Sequence, residues 1–323
     1  MSRAAPWIVL TFVTLMAGAS FGIIKYLVGY ITPVELLFLR FMPAAIVAAI
    51  LLLTVFRISA ARIIKKWWWF FLAREMVAIL GFHLCLNIGE SVLPAGVSAL
   101  IVATWPIITI ILAWKLIGEK ITKKKIFGGI LAFLGAAVVI IYGAREEADL
   151  LNIAPADWIR YSLLLLISPL SAATVTAVSK WFLSSDKTSD NHHSFLFTMM
   201  CRAPGGIYVL VVYLLFQDSI PLVAKMAEFT PLIWALISII SLYNTLLGFW
   251  LFNWSLQKLE AGNVASVTYL STVFALIIAW LFLDERLGTV KIIGGALIVA
   301  GVLLANVGRY RRGPAVEPSP IEA

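Results

Sequence analysis

Eight charged side chains within or at the rims of otherwise apolar stretches of this sequence are candidates for chemistry. They are Lys25, Glu35, Arg40, Arg74, Glu75, Glu90, Lys180 and Arg202. A charge near the centre of a membrane span costs roughly 2.5–3.5 kcal/mol on insertion scales, so each of them needs a partner or a function. Five of the eight are positive, a bias that would attract a carboxylate or another anionic group. We therefore predict that Arg40, Arg202 and Lys25 attract an anion; the alternative is that such long side chains extend to the membrane interface.

A second group of charges could move a proton or hold two helices together. Arg74 and Glu75 are adjacent, so on a helix their side chains should point about 100° apart. We expect each to bond a neighbouring helix and not the other. Glu75 and His83 are eight residues apart, close to one helical face. They could relay a proton, because histidine titrates near neutral pH; the alternative is a hydrogen-bonded structural histidine.

Aromatic and polar side chains in the later apolar runs could line a substrate chamber. The candidates are Asn87, Trp105, Tyr243, Asn244, Asn253, Tyr269 and Ser271. Trp105 precedes a proline, which leaves a backbone carbonyl without its helical partner. The complete set of predicted substrate-binding residues adds Lys25, Arg40, Arg74, Glu75, His83 and Arg202.

The sequence carries no pattern that predicts a metal, a cofactor or an enzyme. Cys85 and Cys201 lie in apolar runs without a C-x-x-C partner, and His192-His193 has no further ligands beside it. The signatures H-E-x-x-H and G-x-x-x-x-G-K-[ST] are absent from the sequence. We therefore expect buried thiols, no metal site, no cofactor and no enzymatic activity.

The elements that must position these residues are membrane helices. Of the 323 residues, 62% are hydrophobic and only 13% are charged, against about 25% charged residues in soluble proteins. The mean hydropathy is +0.98. The net charge of +8 does not indicate nucleic acid as a partner, because the basic residues are scattered between apolar runs and do not form one solvated face.

Ten apolar runs of about the length needed to cross a bilayer predict an all-α integral membrane protein. The runs fall near 7–28, 33–56, 67–89, 93–116, 126–143, 158–181, 195–216, 231–256, 263–283 and 289–308. If the N-terminus is inside, the inner segments hold fourteen Lys and Arg and the outer ones four. This bias predicts that both termini are cytoplasmic, in a multi-pass protein of the plasma (inner) membrane.

The two halves of the chain match each other at an offset of 166 residues. Asn87 falls on Asn253, Ala95-Gly96 on Ala261-Gly262, Ala113-Trp114 on Ala279-Trp280, Glu119-Lys120 on Glu285-Arg286, Gly128-Gly129 on Gly294-Gly295 and Gly135 on Gly301. Small gaps also pair Lys25 with Lys180 and Arg40 with Arg202. Each half would hold five helices, so the second enters the membrane from the opposite side. We predict two inverted repeats, 1–150 and 151–312, with a disordered tail at 313–323.

Inversion makes two further predictions. Arg40 and Arg202 occupy matching places, so each should lie towards a different side of the membrane, at one mouth of a central cavity. The paired glycines should give the fifth and tenth helices smooth faces for close packing.

The stretch A-G-V-S-A…P…A-W…G-E-K…G-G-x-L-x-x-x-G at 95–135 resembles the repeat of the drug/metabolite transporter superfamily, EamA-like branch. A second copy, A-G-N-V-A-S…A-W…D-E-R…G-G-x-L-x-x-x-G, stands at 261–301. The resemblance covers about residues 7–308 and implies ten helices and the export or exchange of small organic metabolites, commonly amino acids. The chain departs from the family at Ala17-Gly18, where a Trp-Gly pair is often found.

We expect a secondary transporter of small organic metabolites, amino acids or related carboxylate or amphipathic compounds, that exports them by alternating access. The alternatives are a flippase of a lipid-linked substrate and a proton-coupled metabolite importer. The expected partners are a small-molecule substrate and the lipid bilayer, with the protein a monomer or a homodimer.

Overall fold

The computed structural model describes residues 4–118, 123–150, 152–184, 193–216, 221–259, 261, 264, 267–285 and 288–306. Within these residues the chain contains helices and turns and no strand. The main helices are α1 (Ala5–Leu27), α2 (Pro33–Thr54), α3 (Arg57–Val92), α4 (Ala95–Leu116), α5 (Lys123–Leu150), α6 (Pro155–Ser184), α7 (His193–Phe216), α8 (Pro231–Lys258), α9 (Tyr269–Phe282) and α10 (Thr289–Asn306). A short helix, Leu222–Ala227, precedes α8.

Seven of these helices are long and apolar enough to cross a bilayer, namely α1–α4 and α6–α8. The other three, α5, α9 and α10, contain shorter apolar stretches. Large apolar side chains cover the outside of the bundle; Leu53, Leu215 and Phe282 are each at least 70% exposed. Such a surface is stable in lipid and not in water.

Local sequence explains where the helices begin and end. Thr32 caps α2 by accepting from the Glu35 amide, and the Glu35 carboxylate accepts from the Thr32 amide, a capping box that precedes Pro33. Gly118, with φ of 74°, ends the second part of α4. Glycine adopts this left-handed conformation more readily than other residues, so it commonly ends a helix. Helix α3 begins at Arg57, ten residues before the predicted start at 67, because the segment that precedes Trp67 contains alanine, lysine and arginine, which form helices readily.

Three interruptions break the regular helical spacing near the middle of the bundle. Wide π-helical turns occupy Val77–Leu84 in α3 and Ile239–Gly248 in α8. Helix α4 is broken at Ala103 and Thr104, directly before Trp105 and Pro106. Wide turns of this kind occur frequently at functional sites, because they redirect side chains and backbone groups.

The helices pack in a regular pattern. Helix α2 packs on α7, α5 on α10, α1 on α9 and α4 on α6. The glycine prediction is confirmed at α5 and α10, which approach so closely that a Cβ added to Gly135 would lie 2.6 Å from the carbonyl oxygen of Gly294. The predicted loop residues Lys120 and Lys187, the matched residues Gly262 and Arg286, and the predicted tail 313–323 lie outside the described residues.

Candidate functional site

A cavity of about 160 Å³ opens at the middle of the helix bundle. Its walls come from α1, α2, α3, α4, α6, α7, α8 and α9, and α5 and α10 do not contribute. Seven predicted site residues lie on this wall: Arg40, His83, Trp105, Arg202, Asn244, Tyr269 and Ser271. The α3 and α8 π-turns and the break in α4 all contribute wall residues, so the interruptions of the helices coincide with the cavity.

Arg40 of α2 and Arg202 of α7 converge on a single residue, Thr245 of α8. Arg40 Nε donates to Thr245 Oγ1 at 3.0 Å, and Arg202 Nε donates to the Thr245 carbonyl oxygen at 3.1 Å. Both arginines are at least 95% buried. The prediction that they guard opposite mouths of the cavity is therefore wrong. Arg40 lies seven residues, about 10 Å, from the start of α2, and Arg202 lies nine residues, about 14 Å, from the start of α7. In a hydrocarbon layer about 30 Å thick both are close to the centre, so inversion hardly separates them.

Glu75 is the counter-ion of this arginine cluster. Its Oε1 accepts from Arg202 Nη1 and its Oε2 accepts from Arg74 Nη1 at 2.7 Å, and all three side chains are buried. Adjacent residues do pair here, contrary to the prediction for Arg74 and Glu75, because the long arginine side chain bends back to the neighbouring carboxylate. Arg74 also bonds a neighbouring helix, as predicted, through Nε to Ser179 Oγ at 3.1 Å.

Aromatic rings complete the surroundings of the guanidinium groups. Arg202 Cζ lies 3.8 Å from the centroid of the Phe249 ring, and Arg74 Cζ lies 4.8 Å from the same centroid. Arg40 and Arg202 lie 5.5 and 5.6 Å from the ring of Phe41. These contacts stabilise positive charge away from water through the negative face of the ring.

Several polar atoms on the wall make no hydrogen bond within the described part of the chain. They are Arg40 Nη1, His83 Nδ1, Trp105 Nε1, Asn244 Nδ2 and Tyr269 Oη. The arginine and tryptophan nitrogens are only donors, and the asparagine nitrogen and the tyrosine hydroxyl can also donate. Buried polar groups are generally paired in proteins. The wall is therefore suited to a ligand that is rich in hydrogen-bond acceptors.

The sequence relationships agree with this architecture. A model described as the EamA-like transporter family matches residues 5–141 and 159–307. The chain belongs to the EamA-like transporter family. This result confirms the resemblance to the drug/metabolite transporters that the repeated motifs indicated.

Several similar proteins are named as transporters. An uncharacterized transporter of Archaeoglobus fulgidus is 26% identical over 92% of this chain and 97% of its own. A probable terminal-alkyne amino-acid exporter of Streptantibioticus cattleyicolor is 27% identical over 73% of this chain and 75% of its own. A solved crystal structure at 16% identity covers 94% of this chain and 97% of its own with a TM-score of 0.65, which supports the fold.

This EamA-like transporter is thus a multi-pass integral membrane protein. Its relatives are named as transporters and not as enzymes.

Six predicted site residues of the transporter lie away from the cavity wall: Lys25, Arg74, Glu75, Asn87, Tyr243 and Asn253. Lys25 Nζ donates to the carbonyl oxygens of Glu90 and Leu93, each at 2.9 Å, at the C-terminal end of α3. Its charge therefore stabilises the end of a helix. Tyr243 packs edge-on against Phe12, with ring centroids 6.1 Å apart.

The two asparagines bond neighbouring helices. Asn87 Nδ2 donates to the Pro33 carbonyl oxygen at 3.2 Å, and Asn253 Nδ2 donates to Thr198 Oγ1 at 3.0 Å. Both asparagines are fully buried. Each thus joins the third helix of its half to the second, a structural role in the transporter.

Sequence reasoning missed the residues that shape the cavity from α8 and α6. Thr245, Phe249, Phe252 and Thr176 all line it. Thr245 follows Tyr243 and Asn244 directly, so the polar run in an apolar helix was the signal. Its importance depends on the π-turn, in which its hydroxyl donates to the Ile240 carbonyl oxygen five residues earlier, at 2.8 Å, and also accepts from Arg40.

Proton and metal chemistry have little visible support at the site. His83 packs against Phe41 and Phe82, with ring centroids 4.7 and 4.4 Å away. The bonds of the Glu75 carboxylate go to two arginines, so the proton relay with His83 stays a prediction. Within the described residues, no three His, Cys, Asp or Glu side chains lie close enough to hold a metal ion.

Proposed function

We propose that this EamA-like transporter is a secondary carrier that moves small carboxylate-bearing metabolites, amino acids or related compounds, out of the cell by alternating access. The observation that carries the proposal is the cavity wall: it holds two buried arginines, and its unpartnered polar atoms are predominantly donors. A carboxylate offers two oxygens with about four acceptor sites and accepts strongly from a guanidinium group.

The two arginines differ in what they can offer a ligand. Arg202 already bonds Glu75 and Thr245 and lies against Phe249. Arg40 bonds Thr245 through Nε, and its Nη1 makes no hydrogen bond within the described residues. Arg40 is therefore the proposed primary contact of the substrate carboxylate, and Arg202 provides the second positive charge.

The direction of transport and the amino-acid component of the substrate class follow by analogy. The relative from Streptantibioticus cattleyicolor is named a probable terminal-alkyne amino-acid exporter and matches 73% of this chain. Its name supports outward movement of a carboxylate with an apolar group. The apolar part of our cavity, which includes Phe82, Leu86 and Phe252, would accept such a group.

We also propose ten spans arranged as two inverted halves, α1–α5 and α6–α10. The packing pairs α2–α7, α5–α10, α1–α9 and α4–α6 map onto themselves when the two halves are exchanged, which supports the proposal. Lys180 Nζ donates to the carbonyl oxygens of Leu256 and Leu259, each at 2.8 Å. These acceptors stand 166 residues after the acceptors of Lys25. Rocking of the two halves around a central site is how such repeats transport.

The remaining features of the proposal come from charge and composition. The excess of basic residues in alternate segments favours cytoplasmic termini and insertion in the plasma (inner) membrane. Energy would come from a substrate or ion gradient, because the sequence has no ATP-binding loop. The bilayer and the small-molecule substrate are the proposed partners of a monomer or a homodimer.

Counterflow in proteoliposomes tests this function. Vesicles that contain the full chain are loaded with an unlabelled mixture of amino acids and organic acids, and uptake of each labelled compound is measured. We expect carboxylates to exchange and amines without a carboxylate not to. Uptake that follows an imposed proton gradient would instead favour the importer, and failure of every soluble carboxylate to exchange would favour a flippase of a lipid-linked substrate.

A further inference from the structure

We propose that the cavity selects carboxylates that carry no ammonium group, such as N-acylated amino acids and aryl or hydroxy carboxylates, over free zwitterionic amino acids. This inference rests on the proposed function and narrows its substrate class. The cavity wall differs in how well it can bind a substrate carboxylate and how well it can bind a substrate ammonium group.

The cavity wall is positive and, within the described residues, has no acidic side chain. Arg40 and Arg202 belong to the wall, and no Asp or Glu among the described residues does. The nearby carboxylate of Glu75 is not part of the wall, has no exposed surface and accepts from Arg202 and Arg74. Glu90 is also fully buried and is not part of the wall either. An ammonium group in this cavity would therefore meet two like charges and no anionic partner, at a depth where charges are weakly screened.

Aromatic faces are the other common acceptors for a cation, and arginines already lie against one ring of the wall, Phe249, and against Phe41 beside it. Phe249 receives Arg202 at 3.8 Å and Arg74 at 4.8 Å from its centroid. Phe41 receives Arg40 and Arg202. At these two rings a substrate ammonium group would have to compete with guanidinium groups that are fixed by hydrogen bonds.

A neutral N–H or O–H group has an acceptor on the same wall. Pro106 has no amide hydrogen, so the carbonyl oxygen of Val102, four residues earlier, lacks its helical donor. Val102, Ala103, Trp105 and Pro106 all line the cavity. A carbonyl dipole suits an amide or hydroxyl donor of the substrate but cannot balance two positive charges. The wall thus matches a carboxylate with a neutral donor and an apolar remainder.

The first test uses the unmodified full chain in proteoliposomes and four ligands that share one aromatic group. N-acetylphenylalanine and 3-phenylpropanoate are anions, phenylalanine is a zwitterion and phenylalaninamide is a cation. Each competes for counterflow of labelled N-acetylphenylalanine. We expect the two anions to compete at least about tenfold more strongly than phenylalanine, as one lost charged contact would predict, and the amide not to compete.

The outcomes separate this inference from the proposed function. If phenylalanine exchanges and competes as well as the anions or better, the inference is wrong while carboxylate transport stands. If neither these compounds nor any other soluble carboxylate exchanges, the proposed function itself fails.

A gain-of-function variant provides the second test. Thr176 of α6 is buried and lines the cavity. Thr176→Asp adds an acid of similar size to the wall, and Thr176→Asn is the matched neutral control. We expect the aspartate variant to improve competition by phenylalanine relative to N-acetylphenylalanine by about tenfold and the asparagine variant to leave the ratio unchanged. An equal ratio in both folded variants would contradict the inference.

Discussion

Two pairs of basic residues stand at matching places in the two halves of this transporter's sequence, and the two pairs make different kinds of contact. Lys25 and Lys180 each donate to two carbonyl oxygens at the C-terminal end of a helix, with distances of 2.8–2.9 Å. Arg40 and Arg202 meet at Thr245 in the centre, where their contacts differ. The lysine pair is nearly symmetric and the arginine pair is not.

The difference shows that residues at matching places in the two halves of a sequence can have different surroundings. At the helix ends, the backbone acceptors are the same in both halves, so both lysines keep the same structural role. At the centre, Arg202 is bound by Glu75, whereas Arg40 keeps a nitrogen without a partner among the described residues. These contacts fix Arg202 to the surrounding helices, and our proposal assigns Arg40 to the ligand.

The largest effect is expected from the removal of Arg202, the arginine that is bound by Glu75. Arg202→Ala leaves the buried Glu75 carboxylate with Arg74 as its remaining ion partner in the described structure. We expect a loss of about 3–5 kcal/mol in the free energy of unfolding, because an incompletely compensated charge stays buried. Unfolding of the detergent-solubilised protein measures this loss. The triple variant Arg74→Met, Glu75→Leu and Arg202→Met removes all three buried charges together and should recover most of the lost free energy of unfolding. A loss no larger than that of Arg40→Ala would contradict the comparison.

The next effect concerns Arg40. We expect Arg40→Ala to raise the half-saturation concentration for a transported carboxylate by about 100-fold, because a charged hydrogen bond is lost in a buried site. Counterflow kinetics measure this change, and unfolding of the same sample shows that the variant is folded. Arg40→Lys keeps the positive charge but lacks the planar guanidinium group, so its half-saturation concentration should lie between those of the unmodified protein and Arg40→Ala. Unchanged kinetics in folded Arg40→Ala would exclude its role as the carboxylate contact.

The lysine pair should respond equally in the two halves. We expect Lys25→Met and Lys180→Met each to lower the free energy of unfolding by about 2 kcal/mol, through the loss of charged hydrogen bonds to helix-end carbonyls. Substrate affinity should not change in either folded variant, because neither lysine lies on the cavity wall. A selective loss of affinity in Lys25→Met would restore its predicted role in attracting anions.

The smallest effect tests the contact between the two halves at α5 and α10. Gly135→Ala would bring a Cβ to 2.6 Å from the Gly294 carbonyl oxygen, whereas Gly295→Ala meets only the end of Leu100, at 3.3 Å. We expect Gly135→Ala to lower the free energy of unfolding by about 1 kcal/mol and Gly295→Ala to leave it unchanged. The backbone of Gly294 cannot move aside, whereas the end of the Leu100 side chain can. Thermal unfolding compares the two, and equal stabilities would show that the helices separate without cost.

The sequence was sufficient to predict the membrane class, the all-helical fold and the family, because long apolar runs and repeated glycine motifs are local signals. It also selected Arg40, Arg202, Trp105 and Tyr269, which line the cavity, since charged and aromatic groups in apolar runs are conspicuous. The pairing of Arg74 with Glu75 and the convergence on Thr245 could not be predicted. They depend on side-chain conformation and on a π-turn, and hydrophobic patterns contain no information about either.

The position of Thr245 has a consequence for how this transporter can evolve. The side-chain hydroxyl serves Arg40, while the carbonyl oxygen, which every residue type possesses, serves Arg202. A mutation at codon 245 can therefore alter the contact of Arg40 and leave the acceptor of Arg202 in place. Descendants of this chain could change selectivity at this one position without first compensating for a lost fold.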